Sequence, residues 1–144
     1  MNKIYYDKLM ELADKAYKNG DIPISAILVK DGSIEAQAFN TREVENNILG
    51  HAEINAIIQL SKKIQNWNLN DYDLYVTLKP CTMCQSILKQ CRINKVYYLL
   101  EKPDSKKEYD KTEFVYANEQ LYRENYSMKL SEFFKELREK NNNL

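Results

Sequence analysis

Two short clusters hold the residue types that could do chemistry: His51-Ala52-Glu53 and Pro80-Cys81-Thr82-Met83-Cys84. In a chain without an export signal, a Cys-x-x-Cys pair reads as a metal site or a redox pair before it reads as a disulfide. Zinc takes imidazole and thiolate ligands, and His51 is the chain's sole histidine. His51, Cys81 and Cys84 would give a zinc ion three protein ligands and leave its fourth tetrahedral position to water, whereas structural sites are closed by four. Water on such an ion becomes acidic near neutral pH. Glu53, beside a ligand but not itself one, is placed to take and return that proton. Alone, the cysteine pair also fits redox chemistry, and His-x-Glu alone says little. Together, in this order, with one helix and one strand between them, they specify the metal reading.

The elements around these clusters support it. Apolar residues at three- and four-residue steps predict a helix over 5–19 (Leu9, Leu12, Ala13, Ala16), with Gly20 as its stop. Residues 22–29 form a nearly continuous apolar run, as expected of a buried strand. Asp31-Gly32 is a hairpin signal, and Ser33 to Phe39 returns as the second strand. Thr41 to Gly50 is polar and irregular. Helical rhythm over 51–61 places Ile54, Ile57, Ile58 and Leu60 on one face. A strand over 72–78 ends at Pro80, a short helix covers 82–90, and a last strand 95–100. Residues 101–112 are a highly charged loop, 113–126 are ambiguous, and 130–139 form a helix with Leu130, Phe133, Phe134 and Leu137 on one side. His51 and Cys81 each fall at a helix start, where the peptide dipole should favour thiolates at Cys81 and Cys84. Cys91, at the far end of its helix, should face the core.

The chain has 144 residues, 44% apolar and 29% charged, which suits one domain spanning residues 1–144. Its 21 basic and 21 acidic residues cancel, so any nucleic-acid surface must be local. No run is apolar enough to cross a bilayer, and residues 1–8 lack a secretory pattern. A cytoplasmic protein is expected.

On these residues the sequence resembles the cytidine-deaminase-like superfamily, whose zinc signature is His-x-Glu followed by Pro-Cys-x-x-Cys. It is most similar to the bacterial tRNA-specific adenosine deaminases. Asp21-Ile22-Pro23-Ile24, Phe39-Asn40, Leu74-Tyr75-Val76-Thr77-Leu78 and Leu130-Ser131-Glu132-Phe133-Phe134 extend the likeness. The resemblance implies an α/β fold, a three-layer α/β/α sandwich on a five-stranded mixed sheet. It also implies zinc, a homodimer, and conversion of the wobble adenosine of tRNA to inosine. By the same resemblance Asn40 would hydrogen-bond the target base, and Ile24, Leu78 and Ala52 would line its pocket. Lys79 stands where those enzymes usually have Glu, Leu100-Glu101-Lys102 replaces an Ala-Arg-Asp segment, and the glycine-rich turn that follows is missing.

Three functions remain open. The first is tRNA adenosine deamination, with the anticodon loop met by Lys102, Lys106, Lys107, Lys111, Phe133, Phe134, Arg138 and Lys140. The second is deamination of free bases or nucleosides such as guanine, cytosine or cytidine. The third is a non-catalytic zinc-binding partner subunit, against which the intact Glu53 argues. Tyr97, Tyr98, Tyr116 and Tyr122 could serve a dimer interface or the core.

Overall fold

The computed structural model of the chain describes residues 1–101 and 111–142. These fall into two compact units, Met1–Ser105 and Lys106–Leu144.

The first unit opens with α1 (Lys3–Lys18), whose Asn2 cap accepts the Ile4 N–H at 2.8 Å. Its expected apolar face is buried as Leu9, Leu12, Ala13 and Ala16, joined by Tyr5. β1 (Ser25–Lys30) starts later than the apolar run, because Pro23 has no N–H to offer a ladder. Asp31 and Gly32 take φ of 49° and 78°, both positive, as a tight hairpin requires. They return the chain as β2 (Ser33–Phe39). A short helix, α2 (Arg42–Glu45), interrupts the loop that the sequence left irregular. Then follow α3 (Ala52–Ile64), β3 (Asp73–Leu78), α4 (Thr82–Gln90) and β4 (Val96–Leu100).

The sheet order is β2-β1-β3-β4, with β1 antiparallel to both neighbours and β3 parallel to β4. The expected five strands are therefore four among the described residues. The four are those that the strand patterns in the sequence mark out. Residues 111–119 have no regular structure.

β1 explains its own unbroken hydrophobicity. Alternate side chains point to opposite faces. Ala26 and Leu28 join the core beneath α3 and α4, with Leu60, Leu74, Val76 and Leu88. Ile27 and Val29 join Tyr5, Leu9 and Leu12 of α1 on the other face. This is the expected α/β/α layering, and each fully buried Leu or Ile contributes roughly 1.5–3 kcal/mol. Ile58 departs from expectation: it is exposed, and the buried face of α3 is Ile54, Ile57 and Leu60 with the small Ala52 and Ala56.

In the second unit, α5 (Gln120–Asn142) begins ten residues before the apolar rhythm that announced it. Gln, Arg, Glu, Met and Lys carry that first stretch, and these are good helix formers with little apolar pattern. Among the described residues no helix is long and apolar enough to cross a membrane.

Candidate active site

Two helix starts make the site. His51 is the N-cap of α3 and Cys81 the N-cap of α4, both with extended backbone. Each begins its helix by accepting the first helical bond: Asn55 N–H to the His51 carbonyl and Gln85 N–H to the Cys81 carbonyl, both at 2.9 Å. The Gln85 side chain also donates to the Pro80 carbonyl at 2.8 Å, which fixes the turn before Cys81. Cys84 lies one turn on, fully buried.

The sequence-predicted ligands meet. His51 Nδ1 is 3.8 Å from Cys81 Sγ and 3.5 Å from Cys84 Sγ, and all three ligand atoms lie within 4.8 Å of one another. Tetrahedral zinc with ordinary Zn–N and Zn–S bonds sets its nitrogen and sulfur ligands about 3.6 Å apart. The residues present therefore fit the ion. Cys91 is not part of the group: it is buried in the core, its thiol 3.6 Å from the Leu88 carbonyl.

For Cys84, burial opposes the thiolate that the helix start was expected to favour. Burial pushes the Cys84 thiol well up, and the Glu53 carboxylate beside it pushes the same way. A divalent cation overcomes that cost, because a coordinating thiol is deprotonated outright. Glu53 is only 3% exposed, and burial raises its pKa above the usual carboxylate range. A carboxyl shifted in that direction is better matched to proton exchange near neutral pH.

His51, Glu53 and Cys81 open onto a cavity of about 190 Å³, lined with them by Ile22, Ile24, Asn40, Arg42, Leu78, Lys79 and Pro80. That is smaller than a drug-sized pocket and suits a single base. An apolar groove of about 240 Å³ lies on the other side of Lys79 and Pro80. Its lining, with Gln85, Leu88, Ile93, Val96 and Tyr98, contains no ligand set, so the chemistry belongs to the smaller cavity.

Asn40 is buried at the end of β2, its N–H bonded to the Ile24 carbonyl at 3.0 Å. Its side-chain oxygen accepts the Ala52 N–H at 2.8 Å, tying the strand end to the start of α3. With the oxygen so engaged, the amide NH₂ is the end left to face a ligand. Ala52 is fully buried in the core, and its contribution is this backbone bond. Asn55 donates to the Phe39 carbonyl and to Thr41 Oγ1, both at 3.0 Å, which holds the same corner.

Three residues that the sequence did not single out matter here. Asp21 is buried, and one of its oxygens accepts the Ile22 N–H while the other accepts those of Glu43 and Val44. Burial raises its pKa, but the three N–H donors outweigh that and hold the carboxyl below its usual range. Gly50 sits against the same loop: a Cβ there would come within 2.6 Å of Arg42 N and 2.8 Å of Arg42 Cα. Arg42 lines the cavity, yet only its charge and its nearness to Asn40 could have suggested so.

Phe133 and Phe134 lie on α5, 57% and 48% exposed, as an edge-to-face pair 5.5 Å apart. Lys111, Arg138 and Lys140 are exposed as well. Lys102, Lys106 and Lys107 lie outside the described residues. Tyr97 stacks on Tyr75 at 4.7 Å, and Tyr98 donates to Glu101 at 2.8 Å.

Comparison with known proteins places this geometry. The fold is that of the cytidine deaminases. The Bacillus subtilis guanine deaminase structure overlays 91% of this chain and 95% of its own at a TM-score of 0.76, with 24% identity. A solved structure from work on A-to-I editing by tRNA:A34 deaminases overlays 70% of this chain and 78% of its own, at a TM-score of 0.68 and 34% identity. The sequence pattern of the MafB19-like deaminase family matches residues 1–138, and the chain belongs to that family. Among curated relatives, the tRNA-specific adenosine deaminase of Bacillus subtilis is 38% identical over 97 residues, 67% of this chain and 60% of that protein. The one from Rickettsia bellii is 36% identical over 91 residues, 62% of this chain and 63% of that protein. The match thus spans less than two thirds of either relative's length.

Proposed function

We propose that the chain is a zinc-dependent deaminase that converts the wobble adenosine of tRNA to inosine, with residues 1–144 acting as one domain. The observation that carries this is His51 Nδ1 facing both Cys81 and Cys84 at ligand spacing, with a buried Glu53 beside them on the floor of a base-sized cavity. His51, Cys81 and Cys84 would hold the zinc. When bound, zinc supplies the Lewis acidity that makes water a nucleophile near neutral pH. Glu53 takes the proton from that water and passes it to the ring nitrogen next to the amine-bearing carbon. As the water oxygen adds to that carbon and the C–N bond breaks, Glu53 would carry the remaining hydroxyl proton to the departing amine, so that water and adenosine become inosine and ammonia. Asn40 offers its amide NH₂ to the base edge, and Ile24 and Leu78 wall the cavity. A loop nucleotide would be flipped out of its stack to reach it.

The relatives' names support tRNA as the substrate, and a homodimer is the assembly we expect. Three free cysteines fit a reducing compartment such as the cytoplasm. The departures at Lys79 and beyond Leu100 keep a free base or nucleoside as the second reading.

The test is inosine formation in an anticodon stem-loop incubated with the zinc-loaded protein, beside a Glu53→Ala control. Inosine above the control is expected. Its absence, with ammonia released instead from guanine, cytosine or cytidine, would move the assignment to the second reading.

A further inference from the structure

Two cations, Arg42 and Lys79, stand at the cavity that His51, Glu53 and Cys81 line. We propose that Arg42 and Lys79 form an anion subsite at the cavity mouth, which takes a phosphate attached to the target nucleotide. The inference rests on the deaminase reading and narrows its substrate class to phosphate-bearing nucleotides. A neutral free base gives two rim cations nothing to bind.

The backbone that carries each cation is fixed. Lys79 follows the last β3–β4 pair, Leu78 with Leu100, and its N–H donates to the Leu100 carbonyl at 2.9 Å. Arg42 is pressed against Gly50, and the next two amides along the chain are held by Asp21. The strands that lead to them, β2 and β3, flank β1 on either side.

Each cation's present partner is an exposed carboxylate that an incoming phosphate can replace. Arg42 donates from Nε and Nη2 to Glu43 Oε1 at 3.1 and 2.8 Å. Lys79 Nζ is 3.4 Å from Glu101 Oε2 and 5.7 Å from the Tyr98 ring centre. Solvent-exposed pairs of this kind contribute little. A phosphate offers more acceptor oxygens and more charge, and guanidinium matches it in a bidentate fork.

The experiment measures binding, so it does not depend on turnover. The zinc-loaded Glu53→Gln protein is titrated with a labelled anticodon stem-loop at several salt concentrations, alone and with Arg42→Gln or Lys79→Gln added. Each added substitution should flatten the slope of log affinity against log salt by about 0.7. A neutral methylphosphonate at the phosphate flanking the target should weaken the Glu53→Gln protein but cost a variant carrying both Arg42→Gln and Lys79→Gln little more. A parallel arm compares adenosine with adenosine monophosphate. If only the monophosphate gains affinity, and loses it in both variants, the subsite takes a free nucleotide's phosphate. Unchanged slopes, with no preference for the monophosphate over the nucleoside, would overturn the subsite. Failure of the Glu53-intact protein to deaminate anything would sink the enzyme reading and leave these slopes standing.

Discussion

At the scale of single residues, the site puts costly groups side by side. Cys84 is fully buried, and Glu53, nearly so, lies against it. Both have pKa values pushed above normal by burial. Without a cation, at least one would have to stay protonated at neutral pH. Zinc in the corner would let the sulfur be an anion and leave Glu53 free to exchange protons. Replacing Glu53 by Gln should therefore leave one zinc per chain while slowing deamination about 10²- to 10⁴-fold. Metal analysis and ammonia release on the same sample check this. A zinc-loaded variant with near wild-type turnover would remove Glu53 from the chemistry.

At the scale of elements, the part of the site legible in the sequence is the part whose residues also start helices. His51 and Cys81 are candidate ligands and N-caps at once, so the motifs announced both the proposed chemistry and its placement. Strand patterns likewise marked the four strands observed, whereas the fifth came from resemblance alone. Asp21 and Arg42 were not legible in the same way, because their roles arise only when the chain after α1 folds back onto the loop after β2. Asp21 caps the start of α2 with one oxygen and bonds its own neighbour with the other. An amide can accept with only one atom. Asp21→Asn should destabilise the protein by about 1–3 kcal/mol. The sign of its pH dependence follows from the lowered pKa. Stability from a carboxyl whose folded pKa lies below its unfolded value is complete above about pH 4 and is lost as pH falls through the folded pKa. The gap in melting temperature between wild type and Asp21→Asn should be full at neutral pH and shrink below pH 4. A gap that widens on acidification would contradict the assignment.

At the scale of the whole molecule, zinc would join two helix starts that lie on one face of the sheet, α3 packing on β1 and β2 and contacting α4. Metal affinity then becomes folding free energy. With free zinc at about 100 times its dissociation constant, the added stability is about 2.7 kcal/mol. Chelation should lower the melting temperature by roughly 10 °C in a chain of this size. Cys91→Ser, which alters a core thiol outside the ligand group, should leave that zinc-dependent increment intact. Equal melting temperatures with and without chelator would mean that the ion does not link these elements. The zero net charge argues the same locality for the substrate: recognition would come from a local surface and not from the field of the whole protein.

Zinc-edge X-ray absorption of the loaded protein tests the central claim most directly. One nitrogen and one oxygen at about 2.0–2.1 Å, with two sulfurs at about 2.3 Å, is the shell expected of His51, Cys81, Cys84 and a water. A third sulfur, or a metal whose sulfur shell survives in the Cys81→Ser and Cys84→Ser variants, would contradict it.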